Sequence, residues 1–126
     1  MKRQIVVTEA APKAVGPYSQ AVWAGDLLFC AGQIPLEPAT GNMVPGGITE
    51  QAARVLENIR GLLQSQGLDF GNVVKSTVFL SDMNNFAAMN EVYARFFTKE
   101  PPARSTIQVA RLPKDALVEI EVVATR

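Results

Sequence analysis

The chain has 126 residues, enough for one domain with its own core and too few for two. Twelve Lys and Arg balance twelve Asp and Glu. A chain without net charge lacks the basic field that draws proteins to phosphate backbones or anionic lipid, which argues against a nucleic-acid or membrane-surface protein. Histidine is absent and Cys30 is the single cysteine. These counts exclude an internal disulfide, a thiolate metal cage and any hydrolytic triad with an imidazole base.

Met1-Lys2-Arg3 is basic, but only Ile5-Val6-Val7 follows before Thr8-Glu9, far short of a signal-peptide core. No apolar run approaches the ~20 residues of a membrane span, so the expected compartment is the reducing cytosol. Residues 3–8 (RQIVVT) are predicted as a strand, and 10–20, with Pro12, Gly16 and Pro17, as a loop. The runs AVWAG and LLFCAGQ, joined at Gly25-Asp26, predict a hairpin. Residues 35–47 hold three prolines and three glycines and predict a surface loop.

A helix is predicted from near Thr49, with the threonine hydroxyl as cap and Glu50 against the positive end of the dipole. Ala52, Val55, Leu56, Ile59, Leu62 and Leu63 supply its buried face, and Gly67 its stop. Gly61 inside it costs about 1 kcal/mol against alanine and points to a close neighbour. A strand follows over 73–80, then a helix from Asn84 to Phe97 whose face is Phe86, Met89, Tyr93 and Phe96 or Phe97. Two last strands, 104–109 and 117–124, flank a turn at Leu112-Pro113-Lys114-Asp115. The order β-β-β-α-β-α-β-β predicts one α+β domain, residues 1–126, with two helices covering a single mixed sheet.

Val118, Ile120, Val122 and Ala124 alternate onto one face of the last strand, Leu117, Glu119, Glu121 and Val123 onto the other. Arg104, Thr106 and Gln108 alternate likewise against Ile107 and Val109. The charged and polar sets of both strands are expected on the face away from the helices. Their mixture with Leu117 and Val123 favours a subunit interface containing a polar pocket.

Arg104 follows the stiff Pro101-Pro102-Ala103 entry, and a guanidinium on a rigid strand suits bidentate capture of a carboxylate. An ordinary ion pair is the plain alternative. Glu119, mid-strand among branched residues, is either a positioned acid/base or a salt-bridge partner, and Glu121 is a weaker copy of it. Tyr18 offers a hydroxyl and a wall to a pocket, or covers a core edge. Cys30, with apolar flanks and no histidine to activate it, is a small buried strand residue. The glycines match neither a dinucleotide fingerprint nor a P-loop, so no cofactor is expected, and no metal.

Several short motifs then coincide: Ala14-Val15-Gly16-Pro17-Tyr18-Ser19-Gln20-Ala21, Ala31-Gly32-Gln33-Ile34-Pro35, Asn72-Val73-Val74-Lys75, Asn84-Asn85-Phe86, Pro102-Ala103-Arg104-Ser105, and Leu112-Pro113-Lys114-Asp115 with Val118-Glu119-Ile120-Glu121. In this order the chain resembles the RidA family (YjgF/YER057c/UK114) from about Val7 to Thr125. The resemblance implies a chorismate-mutase-like fold and a homotrimer with clefts between subunits. It implies hydrolysis of enamine and imine intermediates of pyridoxal-phosphate enzymes, such as 2-aminoacrylate and 2-iminopropanoate, to 2-oxo acids and ammonia. It carries the family's essential arginine onto Arg104, its carboxyl group onto Glu119, its loop tyrosine onto Tyr18, its pocket asparagine onto Asn90 and its pocket glycine onto Gly32. Ala31 stands where many members have serine, and Thr106 where some have cysteine. An endoribonuclease or translation inhibitor, and a non-catalytic carboxylate-binding or chaperone-like module, are the rival functions.

Overall fold

The computed structural model describes residues 2–126. Strands β1 (Arg3–Val6), β2 (Ala21–Ala24) and β3 (Leu27–Gln33) lead to helix α1 (Ile48–Ser65). Strand β4 (Val73–Leu80), helix α2 (Phe86–Phe96), strand β5 (Ala103–Gln108) and strand β6 (Val118–Thr125) complete the chain. The sheet order is β1-β2-β3-β6-β4-β5, antiparallel throughout except for the parallel pair β4 and β5. The α+β order and the two-helix, one-sheet architecture read from periodicity are those of the structure.

Both helices lie on one face of the sheet, and the core forms there. Val55, Leu56, Ile59, Leu62 and Leu63 of α1 are fully buried against Leu28, Val118, Ile120, Val122 and Ala124 of the sheet, each worth about 1.5–3 kcal/mol of transfer free energy. Helix α1 begins one residue before Thr49, and its cap is Gly47. The Glu50 carboxylate accepts the Gly47 N–H at 2.8 Å, so the acid three residues in does the work expected of the threonine hydroxyl. The helix closes as anticipated: the Gly67 N–H reaches the Gln64 carbonyl at 3.0 Å and the Leu68 N–H that of Leu63 at 2.9 Å. Asn84 lies within a 3-10 turn (Met83–Asn85) ahead of α2 rather than starting the helix itself, and the turn is capped by the Asp82 carboxylate accepting the Asn84 N–H at 2.9 Å.

The opposite face of the sheet carries no helix. Along it, register brings Ile5, Val22, Phe29 and Val123 into one row and Glu119, Phe79 and Ile107 into another. Ile5, Leu27, Phe29 and Ile107 are 40–56% exposed there. Within the described chain these side chains leave an apolar surface without a cover on that face.

Candidate functional site

Glu119 and Arg104 were expected on one face; the structure puts them on opposite faces. Arg104 pairs in register with Ser76 and Thr106 with Val78, and Ser76, Val78 and Leu80 all point toward the helices. Arg104, Thr106 and Gln108 therefore point inward, and Ser105 and Ile107 outward. Alternation alone fixes only which residues share a side. Because β5 is an edge strand, its inner side is covered by little more than α2, and polar groups survive there without full burial.

The first cluster forms around Arg104. Its guanidinium carbon lies 4.7 Å from the Tyr93 ring centre and 5.6 Å from that of Phe86. Phe86, Asn90 and Tyr93, at i, i+4 and i+7, form one stripe of α2, which brings Asn90 to the same side of the helix. Thr106 lies one strand position pair along from Arg104, and its hydroxyl oxygen is buried without a hydrogen-bond partner. Among the described residues Arg104 has no carboxylate within 4.0 Å; the four ion pairs are Arg60–Glu57, Arg95–Glu91, Arg111–Asp115 and Arg126–Asp26. The plain alternative for Arg104 thus finds no partner among the described residues.

The second cluster forms around Glu119. A cavity of about 420 Å³ opens at the end of the uncovered sheet face, where the 12–20 loop, the end of β3 and the turn at 113–115 meet. Tyr18, Ala31, Gly32, Lys114 and Glu119 line it. A register shift between Cys30 and Gln33 interrupts the β3–β6 ladder, and Gly32 sits in that bulge directly beneath the Glu119 side chain. A Cβ on Gly32 would overlap the Glu119 carboxylate and stand 2.9 Å from its Cδ. Burial, and then the neighbouring Glu121 charge, push the Glu119 carboxyl above its ordinary pKa. Among the described residues no cation lies within 4.0 Å of the Glu119 carboxylate, so an ion pair does not explain this acid either.

Two buried amides hold the walls of this cavity. The Gln20 amide donates to the carbonyls of Thr8 and Pro12 at 2.9 Å and accepts the Thr8 N–H at 2.8 Å, tying down the loop that carries Tyr18. Asn58 of α1, fully buried, donates to the Leu36 carbonyl at 2.8 Å. Sequence reasoning missed both as site supports, since an amide's role depends on a loop path that periodicity does not describe. It also took Phe86 and Tyr93 for core alone, although their shared stripe with Asn90 marked them as neighbours of a polar site. Cys30 is buried as expected, its thiol pushed up to about 12 by burial. Among the described residues no group of three or more acidic or sulfur ligands could hold a metal ion.

Tyr18, Ala31, Gly32 and Glu119 are thus brought together, as are Arg104, Asn90 and Thr106, but in two separate clusters on opposite faces of one sheet. The Arg104 cluster has no carboxylate within 4.0 Å of the guanidinium among the described residues, and the Glu119 cavity is lined by Lys13 and Lys114 rather than by a guanidinium.

The family model described as endoribonuclease L-PSP matches residues 8–126. A "RutC family protein" of Pyrococcus horikoshii is 53% identical over 122 residues, 97% of each chain. The 2-iminobutanoate/2-iminopropanoate deaminase of Capra hircus is 48% identical over 124 residues, covering 98% of this chain and 90% of that one. Among solved structures, E. coli TdcF with bound serine superposes with a TM-score of 0.93 at 46% identity over 98% of each chain.

Proposed function

Because the chain belongs to the RidA/YjgF family, we propose that it is a 2-iminobutanoate/2-iminopropanoate deaminase, a hydrolase working in clefts between the subunits of a homotrimer. The observation that carries this reading is the split of the site. An unpaired guanidinium on one side of the sheet and an unpaired, pKa-raised carboxylate in a cavity on the other complement each other across two copies of the chain. The apolar outer sheet face is the surface those copies would bury. The deaminase name of the Capra hircus relative supports the reaction, and the serine bound to TdcF supports a small amino- or imino-acid ligand.

In this reading Arg104 of one subunit holds the substrate carboxylate by two parallel N–H···O bonds. Glu119 of the neighbour accepts a proton from water as the water oxygen bonds to the C=N carbon. Starting from the protonated imine, that proton passes to the nitrogen of the resulting carbinolamine; the C–N bond breaks as Glu119 takes the hydroxyl proton and the C=O forms, and ammonia leaves carrying this last proton as ammonium, with a 2-oxo acid as the other product. A carboxyl with a raised pKa is suited to both halves of that transfer near neutrality. Tyr18 and Asn90 shape the pocket, and the Ala31 methyl leaves that wall without a hydroxyl. The chemistry needs positioning, one acid/base and an anion anchor.

The test generates the imino acid in situ with a serine or threonine dehydratase, with semicarbazide present to trap whatever is not hydrolysed. Wild type accelerates 2-oxo-acid formation and Arg104→Ala, of equal mass in solution, does not. Arg104→Lys is nearly as damaging, about a hundredfold down, because an ammonium cannot reproduce the planar fork; near-normal turnover by the lysine variant would sink the bidentate anchor. A carboxylate-binding protein without turnover is the second reading, favoured by the serine complex of TdcF. It would lead if wild type binds 2-oxobutanoate but neither protein accelerates the reaction.

A further inference from the structure

On the sheet's inner side, beside its β5 edge, one polar pair stands out. Ser76 is fully buried on β4, Tyr93 is buried on α2, and their hydroxyls share a hydrogen bond of 2.6 Å. Burial, the larger effect, raises the pKa of the tyrosine, while Ser76 and the nearby Arg104 charge lower it. Ser76 is the register partner of Arg104, so the bond that reaches from α2 down to Ser76 lays the Tyr93 ring across the path of the arginine side chain. Phe97 stacks on Tyr93, ring centres 4.4 Å apart and 25° between planes, and prevents the ring from tilting away. Phe86, at the other end of the stripe and 37% exposed, completes the seat.

We propose that Tyr93, fixed by Ser76, and Phe86 are positioning residues that seat the Arg104 guanidinium for the carboxylate. This rests on the deaminase reading, in which Arg104 is the anchor. A guanidinium near ring faces is attracted by their negative quadrupole while its N–H groups stay free to donate to an anion. The rings also replace a carboxylate as the arginine's partner. An acidic partner would compete with the substrate for the same N–H groups; an aromatic one does not. Four rotatable bonds are thereby restrained before the ligand arrives, and less entropy is lost on binding.

The test compares Tyr93→Leu, Tyr93→Phe and Phe86→Leu with wild type and Arg104→Ala. Each is read by calorimetric titration with 2-oxobutanoate and by turnover in the dehydratase-coupled assay, after its mass and thermal midpoint are measured. Tyr93→Leu and Phe86→Leu should each weaken 2-oxobutanoate binding by about three- to thirtyfold. Tyr93→Phe, which keeps the ring and loses only the hydroxyl, should recover most of that affinity even though its midpoint falls. A purely structural role predicts the reverse order, with affinity following the midpoint rather than the ring. The partly exposed Phe86 keeps the test open should Tyr93→Leu fail to fold. If Arg104→Ala loses turnover while folded Phe86→Leu and Tyr93→Leu bind 2-oxobutanoate like wild type, the seat is overturned and the deaminase stands. If Arg104→Ala itself keeps full turnover, the anchor reading fails first.

Discussion

At the scale of single residues, the site depends on an absent side chain as much as on those present. Glu119 lies across Gly32, and its Cγ and Cδ would stand 3.1 and 2.9 Å from a Cβ placed there. The atoms in the way belong to a flexible side chain, so Gly32→Ala costs the fold little and the carboxylate its place. The expected result is turnover down about tenfold or more, as for a misplaced general base, with a thermal midpoint close to wild type. A fall in midpoint with unchanged turnover per folded molecule would contradict it. Cys30 makes the opposite case, a reactive group silenced by its surroundings. With its thiol pushed up to about 12, the thiolate fraction at pH 8 is on the order of 10⁻⁴. Reaction with a disulfide reagent such as DTNB should therefore proceed only at the rate of unfolding and become immediate in denaturant. The folded pKa lies above the unfolded one near 9.0, so its stabilising contribution is whole below that pH and is lost as pH rises toward 12. The alkaline loss of stability should be shallower in Cys30→Ala.

At the scale of elements, Gly61 shows why a helix tolerates a poor helix former. A Cβ at that position would stand 3.0 Å from the carbonyl carbon of Ala10 and closer still to its oxygen. The 8–12 segment runs against α1 here, and Gln20 holds that same segment in place. Gly61→Ala gains about 1 kcal/mol of propensity and loses about 1–3 kcal/mol to overpacking against backbone that cannot move freely. The variant should be net destabilised in urea unfolding; stabilisation would mean the segment shifts at no cost. The close neighbour was legible in the sequence, because a glycine amid apolar helical spacing asks for one. The element order was legible for a similar reason: α1 has a long apolar stripe at helical spacing, and β6 has one wholly apolar face. Strand β5 has no such face, since Arg104, Thr106 and Gln108 alternate with Ser105 and Ile107, and only pairing with β4 decides which set turns inward. The α1 cap was misread because the helix already starts at Ile48, which leaves Thr49 inside its first turn, and the Glu50 carboxylate reaches back to the N–H of Gly47 ahead of it.

At the scale of the whole molecule, the residues of the candidate site were legible one by one and their arrangement was not. Motif spacing says nothing of which side of a sheet a side chain leaves by, and two clusters on opposite faces read as one list. Their separation has a consequence that a site within one subunit would not share. If each cleft takes Arg104 from one copy and Glu119 from its neighbour, either variant alone is inactive in every cleft. Unfolding Arg104→Ala and Glu119→Ala together in equal amounts and refolding them randomises the subunits. A cleft is intact only when its arginine comes from the Glu119→Ala chain and its carboxylate from the Arg104→Ala chain. Each condition is met half the time, so about one quarter of wild-type turnover should return, whatever the number of subunits in the ring. The separately refolded variants, mixed afterwards without exchange, should stay inactive. Substituting a charge on the outer sheet face, as in Phe29→Glu, should yield folded subunits of lower mass and abolish the recovery, because the row of Ile5, Val22, Phe29 and Val123 is the apolar surface that association would cover. Recovery of activity without association, or association without recovery, would separate the interface from the site and refute the shared cleft.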